Sequence, residues 1–235
     1  ITGQYHAQQP DILVVKIDDQ GSIQNKHIIS TAPSSQRVVE SGKSILSIDN
    51  GYIILASLSQ SSANGPSDIW LSEYIESTLN VGDTTWTQTW DINTFDIPER
   101  LIKKTDGSYA FSGYSLNSSG EIESSWIINS DISGNELSTI IISGDNYVYD
   151  LIENNNGDYI ITGKKFNDND YQGWIACIDI QGNIVWEKTY GEGDSALFRS
   201  IKQTSDGGFI ITGEAQTDGI SSILHVKTDP DGNIY

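Results

Sequence analysis

Short apolar runs recur along the chain at a nearly fixed interval, each bounded by Gly, Asp, Asn or Ser. The clearest copy is Ile201-Lys-Gln-Thr-Ser-Asp-Gly-Gly-Phe-Ile-Ile-Thr-Gly213. An alternating run leads into Asp206-Gly207, and a second apolar run, Phe209 to Thr212, ends on Gly213. Two strand-like runs joined by Asp-Gly or Asn-Gly predict a hairpin, with a type I′ turn whose two central residues have positive φ. The dipeptide returns at Asn156-Gly157, Asp106-Gly107 and Asn50-Gly51, so the turn glycines stand 50, 50 and 56 residues apart. Partner runs follow at Tyr159–Gly163, Tyr109–Gly113 and Tyr52–Ser57, and Ile1-Thr2-Gly3 reads as one more second strand. A fixed period of this length predicts a repeat architecture.

Each unit continues through a polar loop into a third apolar run, with copies at Asp11–Ile17, Asp68–Ile75, Trp126–Asn129, Trp174–Ile178 and Ile223–Lys227. These runs are apolar on both faces, as expected of strands held between two neighbouring sheets. A second recurrent turn follows: Asp18–Ser22, Asp131–Asn135, Asp179–Asn183 and Asp229–Asn233, with Gly in the left-handed position. The second unit substitutes a longer loop at 76–84. Fourth runs are Asn25–Ser30, Thr85–Trp90, Leu137–Ile142 and Ile184–Tyr190.

No helical period is sustained, so the chain is predicted to be all-β, with four short strands per unit. A four-stranded sheet with two apolar faces is stable when such sheets are set radially, which predicts a β-propeller. A β-sandwich would not repeat its sequence in this way. The predicted units span approximately 1–31, 32–90, 91–143, 144–191 and 192–235, in a single domain. Unit one lacks its first strand and unit five its fourth. Open backbone edges are therefore expected along Ile1–Gln4 and Ile223–Thr228, with self-association or a longer array to cover them. A chain that starts at Ile1 and contains no Met also suggests excision from a longer precursor.

The period has a likeness. Thr-Ser-Asp-Gly-Gly-Phe-Ile-Ile-Thr-Gly at 204–213, with Trp174-Ile-Ala-Cys-Ile-Asp-Ile-Gln-Gly-Asn-Ile-Val-Trp-Glu-Lys-Thr-Tyr-Gly191, resembles the propeller-type Asp-Gly-Gly repeats of secreted bacterial and archaeal surface proteins. The likeness spans essentially the whole chain and is weakest in unit two, which has no Gly after Ala56-Ser57. It implies a propeller of the quinoprotein-like kind, an extracellular or cell-surface setting, and no catalytic residues. The run Asp179–Trp186 also resembles part of the tryptophan-docking repeat of quinoprotein propellers, but one unit alone carries the full spacing, so no quinone cofactor is expected.

Charge narrows the partners. With 13 Lys+Arg against 32 Asp+Glu, the net charge of −19 repels phosphate backbones and anionic membranes. Much of that acidity belongs to turns, where Asp serves the backbone. The one cysteine, Cys177, lies in an apolar run and is expected to be a buried hydrophobe. No apolar stretch is long enough to span a membrane.

Candidate chemistry is sparse. Asp229, Asp231 and Asn233 alternate like calcium ligands, but the run lacks the bidentate Glu and flanking helices of an EF-hand. A plain turn is expected, with a weak calcium site as the alternative and no other cofactor. Trp70, Trp126 and Trp174 share one repeat position, which fits a packing ladder better than a ligand-stacking ring. Trp86, Trp90 and Trp186 fall on outer strands and are expected to be partly exposed. His6, His27 and His225 have no ligand spacing, and the acid pairs Asp145/Asp150 and Glu192/Asp194 read as turn carboxylates. No nucleophile elbow or phosphate loop is present, and enzymatic activity is not expected. The expected function is a non-catalytic extracellular module that binds a protein or glycan through its loop faces. A carbohydrate-active protein with an axial pocket is the alternative.

Overall fold

A computed structural model of the chain describes residues 2–6, 10–30, 38–60, 66–75, 84–167, 169–191 and 195–234. Ile1, Tyr235, the replaced loop at 76–83 and the acid pair Glu192/Asp194 lie outside the described residues. The fold is all-β. Unit one forms a three-stranded sheet from β1 (Thr2–His6), β2 (Pro10–Ile17) and β3 (Ile23–Ile29). Unit two contributes β4 (Val38–Ile48), β5 (Gly51–Gln60), β6 (Ser67–Ile75) and β7 (Thr84–Trp90). Unit three contributes β8 (Phe95–Lys103), β9 (Tyr109–Leu116), β10 (Ile122–Ser130) and β11 (Glu136–Ile142). Unit four is β12 (Asn146–Glu153), β13 (Tyr159–Asn167), β14 (Asp170–Ile178) and β15 (Ile184–Tyr190). Unit five is β16 (Ser195–Gln203), β17 (Phe209–Thr217) and β18 (Ile220–Thr228), with Ile234 bridged to Thr228 where a fourth strand would begin. Strands pair antiparallel in chain order within each unit, and one parallel bridge, Ser67 to Phe95, joins units two and three.

Successive residues of a strand point to opposite faces, and here both faces are apolar. Ile161, Trp174 and Ala176 of unit four pack with Ala110, Ile127 and Ile140 of unit three. Their chain neighbours Ile160, Ile175 and Cys177 pack the other way, against Phe198, Phe209 and Ile211 of unit five. Ile53, Leu55, Ile69 and Leu71 meet Leu101, Phe111 and Trp126, while Ile54, Ala56 and Trp70 meet Ile12 and Val14. The four cores are thus the four contacts between consecutive units. Trp70, Trp126 and Trp174 are buried in them, as packing residues. Burial lifts the Cys177 thiol to about 11, so it stays a neutral hydrophobe.

Two local expectations need correction. At the Asp-Gly turns only the glycine has positive φ, as at Gly107, Gly157 and Gly207. Gly107 N–H donates to the Lys104 carbonyl, and Lys104 N–H to that of Ser108, the pattern of a type I turn closed by a glycine bulge. A type I′ geometry appears instead at Asp218-Gly219, where both residues are left-handed between Thr217 and Ile220. In unit two, Gly51 already belongs to its strand and pairs with Ile48. The second correction concerns Gly113, Gly163 and Gly213, which do not end their strands; β9, β13 and β17 run on past them.

What those glycines do is admit the neighbouring backbone. A Cβ at Gly163 would stand 1.7 Å from the Tyr147 carbonyl oxygen, and one at Gly213 would stand 1.9 Å from that of Leu197. Replacing Gly163 with Ala is therefore expected to cost about 1–3 kcal/mol, read as a lower denaturation midpoint. Trp126→Ala, which opens a cavity between two sheets, is expected to cost about 3–5 kcal/mol in the same assay.

Candidate functional site at the inner-strand bulges

Opposite each of these glycines the first strand of the unit carries a β-bulge. The register shifts between Pro98 and Arg100, between Val148 and Asp150, and between Phe198 and Ser200, so Glu99, Tyr149 and Arg199 are the extra residues. Unit two does the same between Gly42 and Ser44, with Lys43 extra; its glycine has moved to the first strand, facing Ala56. Bulges re-aim side chains. Here they do so at one repeat position in four consecutive units.

The first strands β4, β8, β12 and β16 lie side by side without a backbone ladder between them. The residue after each bulge makes the connection. Ser44 Oγ accepts from Leu101 N–H at 3.2 Å, and Arg100 Nε stands 3.2 Å from Asp150 Oδ1. Asp150 Oδ2 accepts from Ser200 Oγ and Ile201 N–H, both at 2.9 Å. Asp150 is thereby a structural carboxylate, whereas Asp145 is exposed.

Around the bulge residues gathers a tyrosine cluster, at the end of the sheets where each first strand begins. Tyr114 lies 4.9 Å from Tyr147 and 6.0 Å from Tyr149 between ring centroids, and Tyr147 lies 5.7 Å from Tyr171. Lys164 Nζ sits 4.2 Å from the Tyr147 centroid and 4.0 Å from that of Tyr171. Arg199 lies over Tyr149 at 4.9 Å and donates to Glu214 Oε1 at 3.1 Å. Cations over aromatic faces are favourable, the more so when water is partly excluded.

The charges sense one another across units. Burial lifts the Glu99 carboxyl above its usual range against the opposing pull of Lys43 and Arg199. Burial also pushes Tyr149 up to about 12, and raises Tyr114 and Tyr147. Lys164 moves down, through burial first and repulsion by Arg199 second. All four tyrosine rings are half-buried, each with part of its surface open to a ligand. Beside Arg199 an open depression of about 260 Å³ is lined by Ser195, Leu197, Glu214, Gln216 and Ser221.

The residues proposed from sequence lie elsewhere. Asp229, Asp231 and Asn233 share one turn at the opposite end of unit five. Asp229 Oδ1 accepts from Asp231 N–H at 3.0 Å and Asn233 N–H at 2.8 Å, while Asn233 Nδ2 donates to Asp229 Oδ2 at 3.1 Å. Those donors hold the Asp229 carboxyl below its usual range, Asn233 foremost. Asp18, Asp131 and Asp179 close their turns alike. Trp186 packs under Gly232, where a Cβ would approach the ring to 2.7 Å, and Trp86 packs under Gly134 in the same manner. Asp231 also borders an open depression of about 300 Å³ with Asn154, Asp158, Trp186 and Gln203. His27 lies on β3 of unit one and His225 on β18 of unit five.

No family model matches the chain, and no curated protein does. Among solved structures, a Bacteroides caccae protein of unknown function is similar at 14% identity and a TM-score of 0.57, over 99% of this chain and 76% of that one. A periplasmic gluconolactonase from Pseudomonas aeruginosa is similar at 13% identity and a TM-score of 0.54, over 100% of this chain and 68% of that one. At such identities the likeness is one of fold, and it agrees with the propeller class.

Glu99 gives the site a measurable signature. Its folded carboxyl holds a proton to higher pH than the unfolded one, so its contribution to stability falls as pH rises from the ordinary glutamate range through the raised value. Glu99→Gln removes that titration. The wild type should lose stability relative to the variant between acidic and neutral pH, as read by denaturation midpoints at several pH values.

Proposed function

We propose that the chain is a non-catalytic carbohydrate-binding module in which the five units stand radially as propeller blades, with the ligand held at the inner-strand bulges. One observation carries this reading: four bulges at the same repeat position set Lys43, Glu99, Tyr149 and Arg199 at one level beside Tyr114, Tyr147, Tyr171 and Lys164. Half-exposed tyrosines offer flat apolar faces to sugar C–H groups and hydroxyls to sugar oxygens. Glu99, Lys43 and Arg199 add directional polar groups. Glycoside hydrolysis draws on two free carboxyl groups, and Glu214 is already engaged by Arg199, which favours binding over turnover.

A setting outside the cytoplasm belongs to the same proposal. The periplasmic neighbour and the likeness to secreted repeats support it. The gluconolactonase likeness extends to fold and supplies no catalytic residue here.

Glycan-array screening followed by calorimetry tests the reading, alongside a hydrolysis screen that includes gluconolactone. Binding to at least one glycan is expected, weakened about tenfold or more by Tyr147→Ala combined with Tyr171→Ala, with no turnover. Silence across the array, or turnover of any substrate, would overturn it.

A further inference from the structure

We infer that Lys164 and Arg199 form an anion subsite, and that the ligand is a sugar bearing a carboxylate, of the uronic acid class. The inference rests on the carbohydrate reading above and specifies which carbohydrate.

Three other lysines that lie against aromatic rings or turns of this acidic chain also meet carboxylates. Lys165, the next residue, contacts Glu187 at 2.7 Å; Lys227 contacts Asp206 at 2.8 Å; Lys104 contacts Asp106 at 3.5 Å. Lys164 has none within 4.0 Å among the described residues, although acids outnumber bases 32 to 13. Its ammonium is instead held between the faces of Tyr147 and Tyr171, and Arg199, another cation, lies over Tyr149, whose ring centroid is 6.3 Å from that of Tyr147. Partly buried positive charge beside positive charge is unfavourable, and a bound anion would relieve it. Glu214 meets Arg199 through Oε1 alone, and Glu99, which also senses Arg199, is drawn toward its neutral form by burial.

The anion must be modest. A net charge of −19 repels a polyanion at long range, so phosphorylated or heavily sulfated polymers are disfavoured. A sugar ring with one carboxylate carries the smallest charge that satisfies the subsite. Its ring would lie on tyrosine, and its carboxylate would reach Lys164 and the guanidinium of Arg199.

Methyl galacturonide and the methyl ester of the same sugar share a skeleton and differ by one charge, so calorimetry with both isolates the claim. The wild type should bind the free acid about tenfold or more tightly than the ester, with the gap narrowing as salt rises. Lys164→Met should abolish the preference for acid over ester, and Lys164→Arg should restore it. Equal affinity for acid and ester would overturn the anion subsite and leave the carbohydrate reading intact. Binding of neutral glycans alone would do the same. Absence of binding to either form, together with silence on the wider array, would remove the carbohydrate reading and this inference with it.

Discussion

The sheets of units two, three and four each have two apolar faces, and that constraint governs the rest. Ile160 and Ile161 are adjacent in sequence, yet each belongs to a different core because strand neighbours point to opposite faces. A sheet of this kind is covered on one side by the preceding unit and on the other by the following one. Stability is then a sum over contacts between neighbours rather than a property of any single unit. The large buried rings, Trp126, Trp174, Phe111 and Phe198, stand at those contacts.

Stacking alone would give a scaffold with four similar first strands. The bulge changes that, because it adds a residue whose side chain leaves the sheet pattern and meets its equivalents from other units. The bulge requires close passage of a carbonyl over the partner strand, and glycine on that strand provides the space. Structure and site therefore share one device. The glycines of units three to five permit the bulges that present Glu99, Tyr149 and Arg199, and in unit two, where Ala56 stands on the partner strand, Gly42 of the first strand precedes Lys43. Ser44, Arg100, Asp150 and Ser200, one residue further on, lock the first strands together and hold that column in place.

Much of the fold is legible in the sequence because it depends on local pattern. Apolar runs, Asp-Gly turns and the repeated Trp position identify strands, their order and their packing faces. The turn type is less legible, since Asp-Gly suits both a type I′ pair and a type I turn closed by left-handed glycine; the loop length and flanking residues decide. The candidate site is hidden for a different reason. Its residues have four chemical types and belong to no motif. They do keep the repeat: each bulge residue stands eight positions before the glycine of its unit's Asp-Gly or Asn-Gly pair, 43 before 51, 99 before 107, 149 before 157 and 199 before 207. A polar position that varies freely inside an otherwise uniform frame was the available signal. Calcium-like spacing at Asp229–Asn233 drew attention instead, although there the side chains of Asp229 and Asn233 bond to each other and Asp229 Oδ1 to the turn backbone.

The account stands on convergence of residues from separate units on one site, with Lys164 at its centre. Proton NMR of the Lys164 ε-methylene group, combined with a pH titration of its ammonium, measures that convergence directly. Held between the rings of Tyr147 and Tyr171, the methylene protons should be shifted upfield by ring currents, and the ammonium should titrate below the ordinary lysine range. Ordinary methylene shifts together with an ordinary lysine titration would contradict it.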